Sequence, residues 1–356
     1  MKFKKALTRE ELETLVKPQL RLFMSVDVVD STALKHGSRE ENPAKPWLPF
    51  ILGFYTGFPG MFSEHFGKVL AMNGTETKLR EPYLWKACGD ELIFCVLLEH
   101  PGHLRFYLKA FRLALIDAIK NWAKGGDPPL PINFKGTAWL AGFPVFNTAV
   151  PIEAPASMTE HSEHFDFVGP LIDIGFRLAK FATPRKFVVS ADIAWIVTRF
   201  GDMSGLDFYY DGREKFKGVL NGISYPVIWV DCQDDVSDAH SLEGIEDRLL
   251  GRDVAKTAVI AELAKAYLDS VQDFLPKPFF HGLKDIDPEF KAPAGFDDLL
   301  KAAQAQLERI YMPDFSAEDD IPTKPKQSNA KAIKDLLARL EEPVSPKKNA
   351  PRKKRS

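Results

Sequence analysis

The stretch from Leu22 to Thr32, LFMSVDVVDST, constrains the fold most, because an apolar run there ends abruptly in two carboxylates. The run alternates apolar and polar residues and becomes β-branched toward its end, which predicts a buried strand over residues 22–29. A carboxylate where a strand leaves the core is costly unless a cation meets it. Asp27 is therefore a candidate ligand of a divalent metal ion. The alternative is that Asp27 and Asp30 only cap the next helix.

A second acidic turn follows in the segment from Trp85 to Val96, WKACGDELIFCV. Two short apolar runs around Gly89 and Asp90 predict a β-hairpin with a carboxylate at its tip. Two-metal sites for phosphoryl transfer hold their ions about 3.5–4 Å apart, bridged by carboxylates. Acidic turns on neighbouring strands would bring Asp27 and Asp90 to the same pair of ions.

A third motif lies in a helix predicted over residues 167–181. Asp166 precedes this helix and Gly169 opens it. Asp173 and Arg177 fall one helical turn apart, so they share one face. Taken alone, that pair is more typical of an intrahelical salt bridge.

The rest of the chain mixes helical periodicity with short alternating strands. Further helices are predicted over residues 1–20, 46–66, 103–123, 193–198, 254–276, 296–311 and 330–340, and strands over 131–143, 187–190, 208–210 and 223–230. The predicted organisation is an N-terminal helix (1–20), a main domain (21–232), a helical C-terminal extension (233–316), and a linker, short helix and basic disordered tail (317–356).

Composition narrows the classes of partner. The net charge of −2 combines a tail of six Lys and Arg residues after position 343 with a remainder of −8. An acidic body argues against nucleic acid on the main domain and leaves only the tail as a candidate. Three cysteines without C-x-x-C spacing fit reduced thiols in the cytoplasm. The most hydrophobic window, 46–62, is broken by proline and glycine, so no membrane span is expected.

In this order and at these separations, the three motifs resemble the class III nucleotidyl cyclase domain, the family of adenylate and guanylate cyclases. The matching residues are Asp27 at the strand end, Lys86, Gly89 and Asp90 of a Lys-x-x-Gly-Asp hairpin, and Asp166, Gly169, Asp173 and Arg177 of the helix motif. Each motif alone is weak, but together they span about residues 20–230 in the family's order. The resemblance implies an α+β fold, namely a ferredoxin-like cyclase domain with a mainly antiparallel sheet and helices packed on it.

The resemblance also implies a role for each catalytic position. Asp27 and Asp90 would hold two Mg²⁺ or Mn²⁺ ions, with the backbone carbonyl of Val28 as a further ligand. The ions would assist in-line attack of the ribose 3′-hydroxyl on the α-phosphorus of a nucleoside triphosphate. Arg177 would stabilise the charge that develops there. Lys217, in the position of a late Lys-Gly of the family, would contact the terminal phosphates, and a solvated lysine is the alternative.

Base recognition falls to Lys86 and Asp166, which supply one donor and one acceptor. In adenylate cyclases this pair binds adenine. Cytosine would use the donor and the acceptor in the same sense as adenine, whereas uracil would offer a carbonyl oxygen to Lys86 and an N–H to Asp166. A pyrimidine is one ring smaller than a purine. The aromatic residues Phe50, Trp85 and Phe167 are candidates to fill the remaining space.

Asp173 departs from the Asn that usually orients the ribose in this family. With a stand-alone domain and the unbroken GDELIF strand, this departure makes the chain most similar to the pyrimidine cyclases of bacterial Pycsar anti-phage systems. The implied product is cyclic UMP or cyclic CMP, with UTP favoured, and a separate effector would respond to it. The alternatives are an adenylate cyclase in general signalling and a catalytically silent nucleotide-binding module.

The family's sites lie between two antiparallel domains, so a chain with one such domain implies a head-to-tail homodimer. One domain supplies the metal carboxylates and the other the residues that stabilise the transition state. Candidates to bury at the interface are Trp47, Phe50, Phe54 and Phe58.

Overall fold

The computed structural model describes residues 9–32, 47–72, 79–122, 132–151, 165–200, 205–232, 242–252, 254–283 and 286–311. Its helices are α1 (Arg9–Val16), α2 (Trp47–Met72), α3 (Leu104–Trp122), α4 (Pro170–Leu178), α5 (Ala191–Arg199), α6 (Leu242–Leu250), α7 (Thr257–Val271) and α8 (Phe296–Tyr311). Its strands are β1 (Gln19–Val29), β2 (Tyr83–Cys88), β3 (Glu91–Leu97), β4 (Asn133–Phe143), β5 (Thr148–Pro151), β6 (Phe165–Val168), β7 (Lys186–Val189), β8 (Phe208–Lys215) and β9 (Ser224–Asp231). The helix predicted at 330–340 and the basic tail lie outside the described residues.

The first four strands and the two long helices form a βαββαβ unit. Strand β1 lies in the middle and pairs antiparallel with β3 on one side and β4 on the other, while β2 completes the edge. Helix α2 connects β1 to β2, and α3 connects β3 to β4. This arrangement confirms the predicted α+β class, a ferredoxin-like and mainly antiparallel sheet with helices packed on it.

Three further strands widen the sheet to seven, in the order β2-β3-β1-β4-β7-β9-β8. Strand β7 runs parallel to β4, whereas β9 and β8 continue antiparallel. Strands β5 and β6 form a separate two-stranded ribbon. The central position of β1 means that both of its edges are paired, which fixes the side chains near its end.

Helix α2 presents a stripe of phenylalanine to the sheet and to α3. Residues four apart lie on one face of a helix, and the stripe consists of Phe50, Phe54, Phe58, Phe62 and Phe66, all buried. The rings of Phe58 and Phe111 lie 5.8 Å apart between centroids. Burial of one such ring contributes about 2 kcal/mol. The stripe is therefore a main source of core stability within one chain.

The expectation that Phe50, Phe54 and Phe58 bury at a dimer interface is wrong. Their exposed fractions within a single chain are already 9%, 0% and 0%. A helix that is hydrophobic nearly all round is typical of a core helix as well as of an interface, so the sequence pattern does not separate the two. Trp47, at the start of α2, stays partly exposed.

A smaller aromatic cluster lies on the opposite face of the sheet, because successive residues of a strand point to opposite faces. It includes Phe23 of β1 and Trp139 of β4. Helix α4 packs directly on it: a Cβ added to Gly175 would overlap the indole ring of Trp139. This close approach places the rest of α4 over the same sheet face.

The helix predicted over 167–181 begins later than expected. Residues 165–168 form β6, and α4 starts at Pro170. Gly169 between them has φ of 144°, a conformation that favours glycine. Strand β6 owes its extended form to pairing with β5, a contact that local periodicity does not record.

The described part of the C-terminal extension packs against the main domain. Helix α7 lies on α5 and buries Ile260 and Tyr267 in the main core. The rings of Trp195 and Phe290 lie 4.6 Å apart between centroids. The domain boundary placed after residue 232 stays a prediction. Within the described ranges, every helix is too short or too polar to cross a membrane.

Candidate active site

Asp27 lies near the end of β1, on the sheet face that carries the aromatic cluster and α4. Pairing places Lys135 of β4 on one side of it and Glu91 of β3 on the other. The Lys135 Nζ atom lies 2.9 Å from Asp27 Oδ2, and each side chain is 27% exposed. The strand end therefore holds a carboxylate between an ammonium group and a second acid.

The surroundings of Asp27 raise its pKa. Burial is the largest cause, because it disfavours the charged form, and the nearby carboxylate of Asp90 acts in the same direction. The hydrogen bond and positive charge of Lys135 oppose both effects. A cation bound at Asp27 would remove the penalty that burial imposes on its charge.

Asp90 lies at the tip of the β2–β3 hairpin, where the sequence predicts it. Gly89 has φ of 72°, which gives the tight turn its left-handed residue. The backbone N–H of Val28 donates to the carbonyl oxygen of Asp90 over 3.1 Å, and the Ser31 hydroxyl donates to the Asp90 carboxylate. The turn is thereby tied to the end of β1, and the structure brings Asp27 and Asp90 together.

Glu91 is a third acid at this site that the motif analysis misses. It pairs directly with Asp27 across the strands and accepts a hydrogen bond from the Ser25 hydroxyl. Burial raises its pKa, and Asp27 and Asp90 raise it further. The sequence contained an indication of this position, because the first residue after the hairpin turn lies opposite the end of β1 when β3 pairs with it.

The donors at this strand end suit a hard divalent cation. Carboxylate and carbonyl oxygens are the ligands that Mg²⁺ takes in proteins, and Asp27, Asp90 and the Val28 carbonyl provide them. In the described part of the chain, no three His, Cys, Asp or Glu side chains are arranged to hold a metal ion together. Because Mg²⁺ takes six oxygen ligands, an ion held by two carboxylates and a carbonyl would have positions left for the phosphate oxygens of a substrate.

Lys86 and Asp166 meet although they lie 80 residues apart in the chain. The Lys86 Nζ atom is 2.7 Å from Asp166 Oδ1, with exposed fractions of 31% and 30%. The same carboxylate oxygen accepts the backbone N–H of Phe167. The predicted donor and acceptor thus form one partly exposed pair on the edge strands β2 and β6.

Three aromatic rings adjoin this pair. The centroids of Phe23, Trp85 and Phe167 lie 5.2–5.3 Å from one another, and the Trp85 indole N–H donates to the carbonyl of Phe165. The Lys86 ammonium lies 4.8 Å from the Trp85 ring centroid. The structure therefore places Trp85 and Phe167 beside the pair, as the sequence predicts.

Asp173 and Arg177 are both exposed on α4. The salt bridge that their spacing allows is absent, and among the described residues the Arg177 side chain makes neither an ion pair nor a hydrogen bond. Within one chain, Arg177 does not contact Asp27 or Asp90. Its guanidinium group is free to meet a ligand that approaches this face.

Lys217 and Phe50 do not join the site within one chain. Lys217 is exposed beside Gly218 in the turn after β8, at the far edge of the sheet from β2. Phe50 packs in the main core near Phe134, with ring centroids 6.2 Å apart, on the other sheet face from Trp85. The predicted contact of Phe50 with the base is wrong for this reason.

No protein-family model matches the chain, and no curated protein matches it. Among solved structures, the catalytic core of a rhodopsin-guanylyl cyclase with converted specificity in complex with ATPalphaS is 14% identical, with a TM-score of 0.38, over 60% of this chain and 96% of that one. The guanylate cyclase domain of RhGC from Catenaria anguillulae in complex with GTP is 13% identical, with a TM-score of 0.37, over 60% and 97%. The adenylyl cyclase CyaB from P. aeruginosa is 15% identical, with a TM-score of 0.38, over 62% and 97%.

Proposed function

We propose that this protein is a nucleotidyl cyclase that converts UTP to 3′,5′-cyclic UMP and pyrophosphate. The observation that carries the proposal is the pairing of two acidic turns, which brings Asp27 and Asp90 together at one end of the sheet. The same hairpin carries Lys86, which pairs with Asp166 over 2.7 Å. One proposed cation ligand, Asp90, and one proposed base-reading residue, Lys86, thus share this hairpin.

The chain's own residues divide the work of the reaction. Asp27, Asp90 and the Val28 carbonyl would hold two Mg²⁺ or Mn²⁺ ions. When bound, these ions would lower the pKa of the attacking hydroxyl and neutralise phosphate charge. Arg177 would donate to the α-phosphate, where negative charge increases in the transition state. Asp173 would accept a hydrogen bond from the ribose.

A homodimer completes this site. Arg177 is exposed and does not contact Asp27 or Asp90 within the chain. Two copies in a twofold arrangement could each give carboxylates to one site and Arg177 to the other. Lys217, exposed at the other edge of the sheet, would then reach the terminal phosphates.

Base choice rests on the Lys86–Asp166 pair and the rings beside it. Uracil offers a carbonyl oxygen to Lys86 and an N–H to Asp166. The rings of Trp85 and Phe167 occupy space next to this pair, which favours a single pyrimidine ring over a purine. CTP and ATP are the alternative substrates.

The proposed product is a second messenger. The motif resemblance to Pycsar cyclases supports an anti-phage role in which cyclic UMP activates a separate effector. The alternative is an adenylate cyclase in general signalling.

A second candidate function is a catalytically silent nucleotide-binding module. The ion pair between Lys135 and Asp27 favours it, because the ammonium group already neutralises a carboxylate that catalysis requires for a cation.

The test is to incubate the purified protein with ATP, GTP, CTP or UTP in the presence of Mn²⁺ and to identify the products by mass. Cyclic UMP from UTP is expected, with much less turnover of the other three. Asp27→Asn, which keeps the side-chain shape, should abolish the product. Another cyclic nucleotide would refute the base assignment, and nucleotide binding without any product would support the silent module.

A further inference from the structure

Lys135 lies directly beside the predicted cation ligand Asp27 and has no assigned role. The two residues are opposite each other on β4 and β1, and their charged atoms are 2.9 Å apart. Both side chains are 27% exposed, so the pair is shielded from water more than a surface ion pair is. Among the described residues, Asp27 is the acid with which Lys135 forms an ion pair.

The acids around Asp27 need a positive charge at this position. Asp27 is partly buried. The charge of Asp90 raises the pKa of Asp27, and the charge of Asp27 raises the pKa of Glu91. Three acids gathered at one strand end repel one another when all are ionised. Lys135 faces this group and acts electrostatically on both Asp27 and Glu91. It therefore supplies positive charge that offsets the repulsion among these acids.

An ammonium group and a divalent cation compete for the same carboxylate oxygens. A metal ion that binds Asp27 must displace Lys135, since two positive charges at such short separation repel strongly. Glu91, which accepts the Ser25 hydroxyl, belongs to the same acidic group, so a metal ion bound there would repel an ammonium group at Glu91 as well. The displaced ammonium group must turn elsewhere.

The strand geometry allows this exchange without backbone movement. Lys135 is held in the β1–β4 ladder, so its Cα atom stays beside the site. Its side chain is long and flexible, and its ammonium group donates in any direction. Phosphate oxygens of a nucleoside triphosphate bound at Asp27 and Asp90 would be the nearest new acceptors.

We propose that Lys135 is an exchangeable counter-ion of Asp27. When a divalent cation binds Asp27, the Lys135 ammonium group leaves that carboxylate and contacts the triphosphate of the substrate. The proposal rests on the proposed function for the cation site itself. On this account Lys135 sets the cation concentration at which the site fills, and it is a positioning residue for phosphate once the cation is bound.

The experiment is a titration of the nucleotide-free protein with Mn²⁺ at pH 7.5, following free Mn²⁺ by electron paramagnetic resonance. Lys135→Met removes the competitor and should tighten Mn²⁺ binding about three- to fivefold, the ratio that corresponds to a partly exposed ion pair. Lys135→Arg keeps the charge and should leave the affinity near that of the unmodified protein. Lys265→Met is the matched control, since it removes a lysine that pairs with Asp269 on the remote helix α7.

A second measurement follows the lysine directly. Limited acetylation followed by mass spectrometry should show that Lys135 becomes more reactive when Mn²⁺ is added, whereas Lys265 does not change. In Asp27→Asn, Lys135 should already be reactive without Mn²⁺. If the pair were only structural, Lys135 would become reactive in Asp27→Asn but would not respond to Mn²⁺ in the unmodified protein.

The outcomes separate the two proposals. If Asp27→Asn weakens Mn²⁺ binding but Lys135→Met has the affinity of the unmodified protein, the counter-ion exchange is wrong and the cation site stands. If the unmodified protein and Asp27→Asn bind Mn²⁺ equally, the cation site and the exchange both fail.

Discussion

Two inactive variants should restore activity when they are combined in one dimer. Asp27→Asn removes a cation ligand but keeps the side-chain shape, and Arg177→Ala removes the proposed transition-state donor. Arg177 is exposed and unpaired among the described residues, so its loss should change the free energy of unfolding by less than about 0.5 kcal/mol. Loss of activity in Arg177→Ala would then reflect the site and not the fold.

The expected recovery follows from the twofold symmetry of the proposed dimer. Each pure variant has a defect in both sites. A mixed dimer collects both substitutions in one site and leaves the other intact. Equal random assembly gives half mixed dimers, each with one working site, so activity should return to about a quarter of the original.

The assay is co-expression of the two variants and measurement of cyclic UMP formed from UTP. Asp27→Asn combined with Asp90→Asn is the matched control, because both residues come from the same chain at each site and no intact site can form. Recovery in the control as well would refute the shared site. An inactive Asp27→Asn/Arg177→Ala mixture that contains mixed dimers would refute it too.

Three further predictions concern single residues. Lys86→Met should lower kcat/KM for UTP at least tenfold while Mn²⁺ affinity stays unchanged, because Lys86 meets the base and not the cation; steady-state kinetics and Mn²⁺ titration check this. Gly175→Ala should lower the free energy of unfolding by about 1–3 kcal/mol in urea denaturation, because the added methyl group overlaps the Trp139 ring. Burial raises the pKa of Asp192 from 3.8 to about 6, so the unfolded chain ionises first as pH rises. Its contribution should lower stability by about 3 kcal/mol as the pH rises from about 3 to 7, and urea titrations of Asp192→Asn should lack that loss.

The elements that carry strong local signals could be predicted from the sequence. The turn at Gly89 and Asp90 and the helix Phe296–Tyr311 appear where the pattern predicts them. The strand before Asp27 was predicted from residue 22 and begins at residue 19. In each case a local feature, such as a glycine turn or a helical period, decides the outcome.

Contacts between distant segments were harder to predict. The pairing of Lys135 with Asp27 depends on the register between β1 and β4, which no single segment specifies. Phe50 was assigned to the base pocket because it is aromatic, but its position on the α2 stripe commits it to the core. The contact of Lys86 with Asp166 was anticipated through the motif resemblance, since nothing local to either residue indicates it.

The most direct test of the central claim is a crystal structure of the protein with Mn²⁺ and a UTP analogue that cannot cyclise. The account predicts anomalous signal for Mn²⁺ between Asp27 and Asp90 of one protomer, and an α-phosphate contacted by Arg177 of the partner subunit. The uracil ring should lie between Lys86 and Asp166. A nucleotide bound away from Asp27 and Asp90, or bound by the residues of one chain alone, would contradict it.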